Sequence, residues 1–137
     1  MDTASLTTKL RETLAARAER EGIAAAWLFG SVARGTARPD SDVDVGILYS
    51  EDPPRTLAGI GRTFGLEEDL VEALEAPIQI VALNRASPEL IVRVLRDGQL
   101  LVDREPLRRC HFEVRSRKEF WDVEPYLRLY RGQAPLR

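Results

Sequence analysis

Residues 30–47 read GSVARGTARPDSDVDVGI, and two aspartates in this stretch, Asp42 and Asp44, stand one residue apart. They open a segment whose alternating valine and isoleucine residues predict a β-strand. On a strand, residues i and i+2 point to the same face, so both carboxylates project together. Two carboxylates this close repel each other unless a cation lies between them. Because Mg²⁺ prefers carboxylate and phosphate oxygens, the pair predicts a magnesium site that a phosphate group would complete.

Gly30 and Ser31 come before the aspartates, with ten residues in between, where an apolar run ends. Glycine permits a sharp bend, and free N–H groups beside a hydroxyl at a helix start form an anion site. Arg34 follows one turn later, where its charge can assist. An aspartate often begins a strand from a solvated turn, but the combination favours a nucleoside triphosphate site over that alternative. In it, Gly30, Ser31 and Arg34 bind phosphates, and Asp42 and Asp44 bind the metal.

Outward from this stretch, hydrophobic periodicity predicts helices and strands in the order α-β-β-α-β-α-β-α. The predicted helices cover residues 5–21, 66–75, 87–98 and 105–121, and the predicted strands cover 24–30, 43–49, 78–83 and 99–103. The residues after 121 are interpreted as an aromatic, basic tail. Incomplete alternation of strands and helices indicates an α/β or α+β protein with a small mixed sheet flanked by helices.

Composition indicates one domain with a single core, because the chain has 137 residues, 44% of them hydrophobic. With one cysteine, Cys110, no intrachain disulfide can form. No N-terminal apolar segment and no apolar run of about 18 residues occurs, which predicts a cytoplasmic protein without a membrane partner. Residues 1–92 hold 9 Lys/Arg and 15 Asp/Glu (−6), whereas residues 93–137 hold 11 and 7 (+4). Such a bias is more often a solvated face than a nucleic-acid surface.

The segment GSVARGTARPDSDVDVGIL resembles the signature of the DNA polymerase β-like nucleotidyltransferase superfamily, in which Gly-Ser is followed by ten residues and Asp-x-Asp. The small chain is similar to the minimal nucleotidyltransferases, which are often encoded beside a HEPN-domain partner as a toxin–antitoxin pair. This resemblance covers most of the chain. It implies a polymerase β-like nucleotidyltransferase domain over residues 1–104. Residues 105–137 would add a C-terminal helix and a basic aromatic tail that pack on the same domain.

The same resemblance implies an enzyme that takes ATP as substrate and Mg²⁺ as cofactor. Asp42 and Asp44 would be its catalytic, metal-binding residues, and Gly30 and Ser31 would hold phosphates. In the antitoxin members of the family, AMP is transferred to a tyrosine hydroxyl of the HEPN toxin, which is a ribonuclease. The expected partners are therefore ATP and a HEPN toxin, with a hetero-oligomer formed on a toxin dimer.

One departure from the family pattern lies on the third predicted strand, where the family usually has a third carboxylate. The matching residue here is Gln79, whose amide oxygen can bind a metal but cannot act as a base. Glu75 precedes Pro77 and belongs to the preceding helix. Two alternatives follow. The enzyme works with two carboxylates, or the chain is a degenerate antitoxin that neutralises its toxin by binding alone. A transferase acting on a small molecule or an RNA end is a third alternative.

The basic C-terminal segment holds the other candidate residues. His111 is the only histidine and follows Cys110, but no further ligand type completes a tetrahedral site, so the pair is interpreted as incidental. Trp121, Tyr126 and Tyr130 alternate with arginines, a composition that suits either base stacking or a protein interface. The family resemblance favours a protein partner.

Overall fold

The computed structural model describes residues 2–38 and 41–132. Within them, helices, strands and one 3₁₀ turn follow one another along the chain. In chain order they are α1 (Thr3–Glu21), β1 (Ile23–Phe29), α2 (Gly30–Arg34), β2 (Val43–Tyr49), α3 (Leu57–Leu74), β3 (Ile78–Ala82), the 3₁₀ turn (Leu83–Arg85), α4 (Pro88–Asp97), β4 (Gln99–Asp103) and α5 (Pro106–Tyr130). In this part of the chain no helix has the length and apolar character needed to span a membrane.

The strands form one mixed sheet in the order β3-β2-β1-β4. β1 pairs antiparallel with β2 and β4, whereas β2 and β3 run parallel. Parallel neighbours need a long crossover, and α3 supplies it. The predicted fold class, a small mixed sheet flanked by helices, is therefore confirmed.

β3 forms one edge of this sheet, next to the strand that carries the aspartates. The N–H of Ile80 on β3 donates to a carboxylate oxygen of Glu67 on α3, over 2.9 Å. A side chain of the crossover helix thus satisfies a backbone group at the edge of the sheet.

The two faces of the sheet pack against different helices. Val45 and Ile47 of β2 share one buried cluster with leucines of α1 and α3. Trp27 of β1 shares a second cluster with Phe112 of α5 and with residues of α4, and the Trp27 and Phe112 ring centroids lie 6.3 Å apart. Because side chains alternate along β2, Asp44 belongs to the face that α4 and α5 cover.

The ends of α1 and α4 follow the local signals that the sequence carries. The hydroxyl of Ser87 accepts the N–H of Leu90 over 3.2 Å, and Pro88 occupies the first helical position of α4. Gly22 ends α1 in the left-handed conformation, with φ of 68°. Both boundaries confirm the prediction to within two residues.

The prediction for α3 was too short, because the helix begins at Leu57 rather than at residue 66. Its first half contains Gly59, Gly61 and Gly65, and each glycine lowers helix propensity by about 1 kcal/mol relative to alanine. The hydroxyl of Thr56 nevertheless accepts the N–H of Gly59 over 3.4 Å and caps the helix.

The predicted C-terminal helix was also too short, since it ended at residue 121, whereas α5 continues to Tyr130 and includes Pro125. Proline removes one backbone hydrogen bond and usually ends a helix. Here two ion pairs hold the last turns, one between Arg128 and Glu124 and one between Arg131 and Glu89 of α4. A tertiary contact with α4 therefore extends the helix beyond the point that local rules predict.

Candidate functional site

Gly30 lies where β1 ends and α2 begins, and its φ of 76° falls in the left-handed region that favours glycine. Phe29 and Asp44 are partners in the antiparallel β1–β2 pair, which brings the Asp44 side chain to this bend. A Cβ atom at position 30 would overlap a carboxylate oxygen of Asp44. Both the backbone angle and the close approach of Asp44 require glycine at position 30. The bend and the Asp44 carboxylate are therefore packed directly against each other.

The short helix α2 presents the other two predicted phosphate ligands. Ser31 is half-buried, and in the described part of the chain its hydroxyl makes no hydrogen bond. Arg34 is exposed in the last turn of α2, which Gly35 ends with a φ of 73°. The structure thus brings a free hydroxyl and a guanidinium to the bend that contacts Asp44.

Asp42 and Asp44 lie at the start of β2, where Asp42 is exposed and Asp44 is half-buried. Burial raises the pKa of Asp44, the negative charge of Asp42 raises it further, and the positive charge of Arg34 opposes both. The two carboxylates therefore interact, and Arg34 compensates their charge only in part. A divalent cation with a preference for oxygen ligands fits this excess of negative charge.

Gln79 of β3 is the register partner of Asp44 in the parallel β2–β3 pair. Register partners on neighbouring strands point to the same face, so the Gln79 amide lies beside the Asp44 carboxylate on the α4/α5 face. Glu75 instead caps the end of α3, with φ of 52°, and is not part of β3. The residue beside Asp44 on the third strand is thus an amide.

A metal ion at this site would need ligands beyond the two aspartates. Within residues 2–38 and 41–132, no group of three or more His, Cys, Asp and Glu side chains is arranged to hold a metal. Cys110 and His111 are exposed on α5 and belong to no such group. The remaining ligands of an ion on Asp42 and Asp44 would come from Gln79, water or phosphate oxygens.

Asp97 is a charged neighbour of the site that the sequence analysis missed. The hydrogen bond from Arg96 lowers the pKa of Asp97 most, and the positive charge of Arg34 adds a smaller effect. Arg34 therefore lies within electrostatic reach of Asp97 at the end of α4 and of Asp44 on β2. No local pattern predicts this neighbour, because α4 reaches α2 only through tertiary packing.

Sequence comparison matches residues 9–107 to the family described as "Polymerase beta, Nucleotidyltransferase". The chain belongs to this nucleotidyltransferase family. The matched range includes Gly30, both aspartates and Gln79. The resemblance to the polymerase β-like nucleotidyltransferases is confirmed.

A named protein and several solved structures are also similar to the chain. The protein adenylyltransferase MntA of Shewanella oneidensis is 35% identical over 75 residues, which make up 55% of this chain and 50% of the relative. The match thus spans half the length of that relative. A toxin–antitoxin crystal structure with AMP-PNP has a TM-score of 0.67 at 22% identity and covers 89% of this chain and 92% of the other. At this identity the likeness concerns the fold alone.

A second structure holds a tri-AMPylated Shewanella oneidensis HEPN toxin in complex with its MNT antitoxin. It has a TM-score of 0.64 at 19% identity, with 92% of each chain covered. The shared fold therefore occurs in a protein that is bound to an AMPylated toxin.

The raised pKa of Asp44 leads to a prediction about stability without metal. The folded state binds a proton at Asp44 more tightly than the unfolded chain does, so stability falls as pH rises through the pKa of Asp44. Replacing Asp44 with asparagine removes the charge, so we expect Asp44→Asn to melt at a higher temperature than the wild type at pH 7 in EDTA. The difference should disappear once the pH falls below 3.8, the ordinary pKa of aspartate. Thermal denaturation at both pH values measures it, and a wild type that is more stable at pH 7 contradicts the prediction.

Proposed function

We propose that this protein transfers AMP from ATP to a tyrosine hydroxyl of a HEPN toxin and thereby acts as an antitoxin. The observation that carries the proposal is the contact between the Gly30 bend and Asp44, which joins a phosphate-binding bend to a metal-binding strand. Family membership supports nucleotidyl transfer, and the MntA relative supports AMP as the transferred group.

In this mechanism each residue of the site has a defined task. Asp42 and Asp44 would hold Mg²⁺, which supplies neutralisation of phosphate charge and alignment for in-line attack. Ser31 would donate its hydroxyl to a phosphate oxygen, and Arg34 would add positive charge beside it. Gly30 keeps the backbone close to Asp44, because any side chain would occupy that space.

The reaction forms one bond and breaks one. The tyrosine oxygen forms a bond to the α-phosphorus of ATP, the bond from that phosphorus to the bridging oxygen breaks, and pyrophosphate leaves. The hydroxyl proton must pass to a base. Gln79 beside Asp44 cannot accept it, because an amide has no basic carboxylate, so the proton would pass to water or to a group of the toxin.

Gln79 supports a second candidate function, in which the protein neutralises its toxin by binding alone. Loss of a general base slows proton transfer by about 10²–10⁴-fold. A chain with an amide beside Asp44 would then still bind the toxin but would transfer AMP much more slowly.

One experiment distinguishes the two functions. The protein is mixed with a HEPN toxin from the same genome, α-labelled ATP and Mg²⁺, and label on the toxin is measured by gel and mass spectrometry. Label that appears with Mg²⁺ and disappears with EDTA supports AMP transfer. A stable complex without label supports neutralisation by binding alone. Label on a small molecule or an RNA end, with none on the toxin, contradicts both.

Gln79 provides a quantitative prediction. We expect Gln79→Asp to raise the rate of AMP transfer by about 10²-fold, because the new carboxylate beside Asp44 can accept the hydroxyl proton. Gln79→Asn is the matched control, since asparagine has the shape of aspartate without its charge, and it should leave the rate close to that of the wild type. Equal rates for the aspartate and asparagine variants would show that a third carboxylate has no role.

A further inference from the structure

The outer side of α5 carries three exposed apolar side chains seven residues apart, which we call the α5 stripe: Leu107, Val114 and Trp121. Their exposed fractions are 72%, 68% and 63%, values usual for charged residues. At 3.6 residues per turn, a spacing of seven keeps them on one side of the helix over about 21 Å.

The core of the domain does not account for this stripe. The residues that α5 buries are Phe112, Ser116 and Glu124, and Phe112 packs against Trp27 of the sheet. On the helical wheel Phe112 and Ser116 lie roughly half a turn away from the stripe. The solvent side of a surface helix is normally polar, so an apolar row there marks an interaction surface.

Positive charges accompany the stripe. Lys118 lies one turn after Val114, and Arg115 and Arg117 lie on the two sides of the row. Lys118 has no carboxylate within ion-pair distance among the residues that the structure describes. Arg115 and Arg117 reach Glu119 and Glu113 only at 3.9 Å each, in exposed pairs that contribute little. A complementary partner would therefore carry carboxylates around an apolar groove.

We propose that the α5 stripe docks into an apolar groove, edged with carboxylates, on the toxin partner. The proposal rests on the proposed function for the identity of the partner. Helices bind grooves through apolar residues repeated along one side, and aromatic anchors such as Trp121 contribute much of the affinity. A second copy that docks stripe against stripe fits less well, because it would bring the same excess of positive charge to the interface.

The test compares two paired substitutions. Val114→Asp with Trp121→Asp places two charges in the α5 stripe. Ile60→Asp with Phe64→Asp is the control for the rival surface, the exposed apolar residues of α3, where the exposed fractions are 53% and 58%. Affinity for the toxin is measured by calorimetry, folding by thermal denaturation, and AMP transfer with labelled ATP at saturating toxin.

We expect the stripe variant to fold and to bind the toxin about 10²-fold more weakly, and the control to bind like the wild type. If the stripe variant keeps its affinity, or if only the control loses it, the docking proposal is overturned while AMP transfer remains supported. If the stripe variant loses affinity but no chain labels the toxin, docking stands and AMP transfer fails. A wild-type chain that does not bind the toxin overturns both.

Two further measurements address other occupants of the stripe. A dimer of the isolated chain in light scattering that Trp121→Asp dissociates would assign the stripe to a second copy. Binding of a single-stranded RNA oligonucleotide that needs Trp121 would assign it to nucleic acid. Either result overturns the proposal of a protein groove, and a monomer that does not bind RNA supports it.

Discussion

Replacing Asp42 and Asp44 together with asparagine is expected to reduce AMP transfer by about 10³-fold or more and to abolish metal-dependent ATP binding. Metal ligation contributes several kcal/mol to transition-state stabilisation, and each 1.36 kcal/mol corresponds to a factor of ten in rate. The fold should persist, because Asp42 is exposed and Asp44 is only half-buried. Calorimetry with ATP and Mg²⁺ or Mn²⁺, together with transfer of label to the toxin, measures both effects.

A matched control separates charge from ligation. Glu68→Gln with Glu72→Gln also removes two negative charges, on the exposed side of α3 away from β2. This control should retain ATP binding and transfer. Unchanged ATP affinity in the Asp42→Asn, Asp44→Asn protein would show that the two carboxylates do not bind the nucleotide.

Gly30→Ala is expected to impair both folding and chemistry. A residue other than glycine at positive φ costs about 1–2 kcal/mol, and the new Cβ would displace the Asp44 carboxylate. Because a displacement of about 1 Å at a reacting site can cost 10²-fold in rate, we expect AMP transfer to fall by at least about that factor. Chemical denaturation and the labelling reaction measure the two effects separately.

Gly35→Ala distinguishes backbone strain from the contact with Asp44. Gly35 has a φ of 73°, close to the 76° of Gly30, but a Cβ there would have no atom within 4 Å. Both variants should lose a similar free energy of unfolding, because both place a side chain at positive φ. Only Gly30→Ala should also lower the rate of AMP transfer. Equal decreases in the rate of AMP transfer in both variants would show that the clash with Asp44 does not affect the reaction.

The local parts of the site could be predicted from the sequence, because they depend on short-range geometry. The shared face of Asp42 and Asp44 follows from strand periodicity, and the bend at Gly30 follows from the backbone freedom of glycine. The position of Gln79 beside Asp44 depends on the register of two parallel strands, which residue pattern alone does not fix. Only the family resemblance assigned Gln79 to the position of the third carboxylate.

The long-range parts could not be predicted, because they arise from packing between distant segments. Asp97 reaches Arg34 only through the placement of α4, and the last turns of α5 are held by the pair between Arg131 and Glu89. The start of α3 could not be predicted either, because its glycines lower the helix propensity of a segment that tertiary contacts then stabilise.

The hydrogen bond from Ile80 to Glu67 bears on the resistance of the protein to aggregation. An open strand edge is a template on which further chains can add, and this is a common route to aggregation. Glu67 occupies one outward-facing donor of β3 and places a carboxylate where an incoming strand would have to lie. This edge of the sheet, on the side nearest Asp44, is therefore protected against the addition of another strand, and Gln79 can lie exposed on β3 without promoting aggregation.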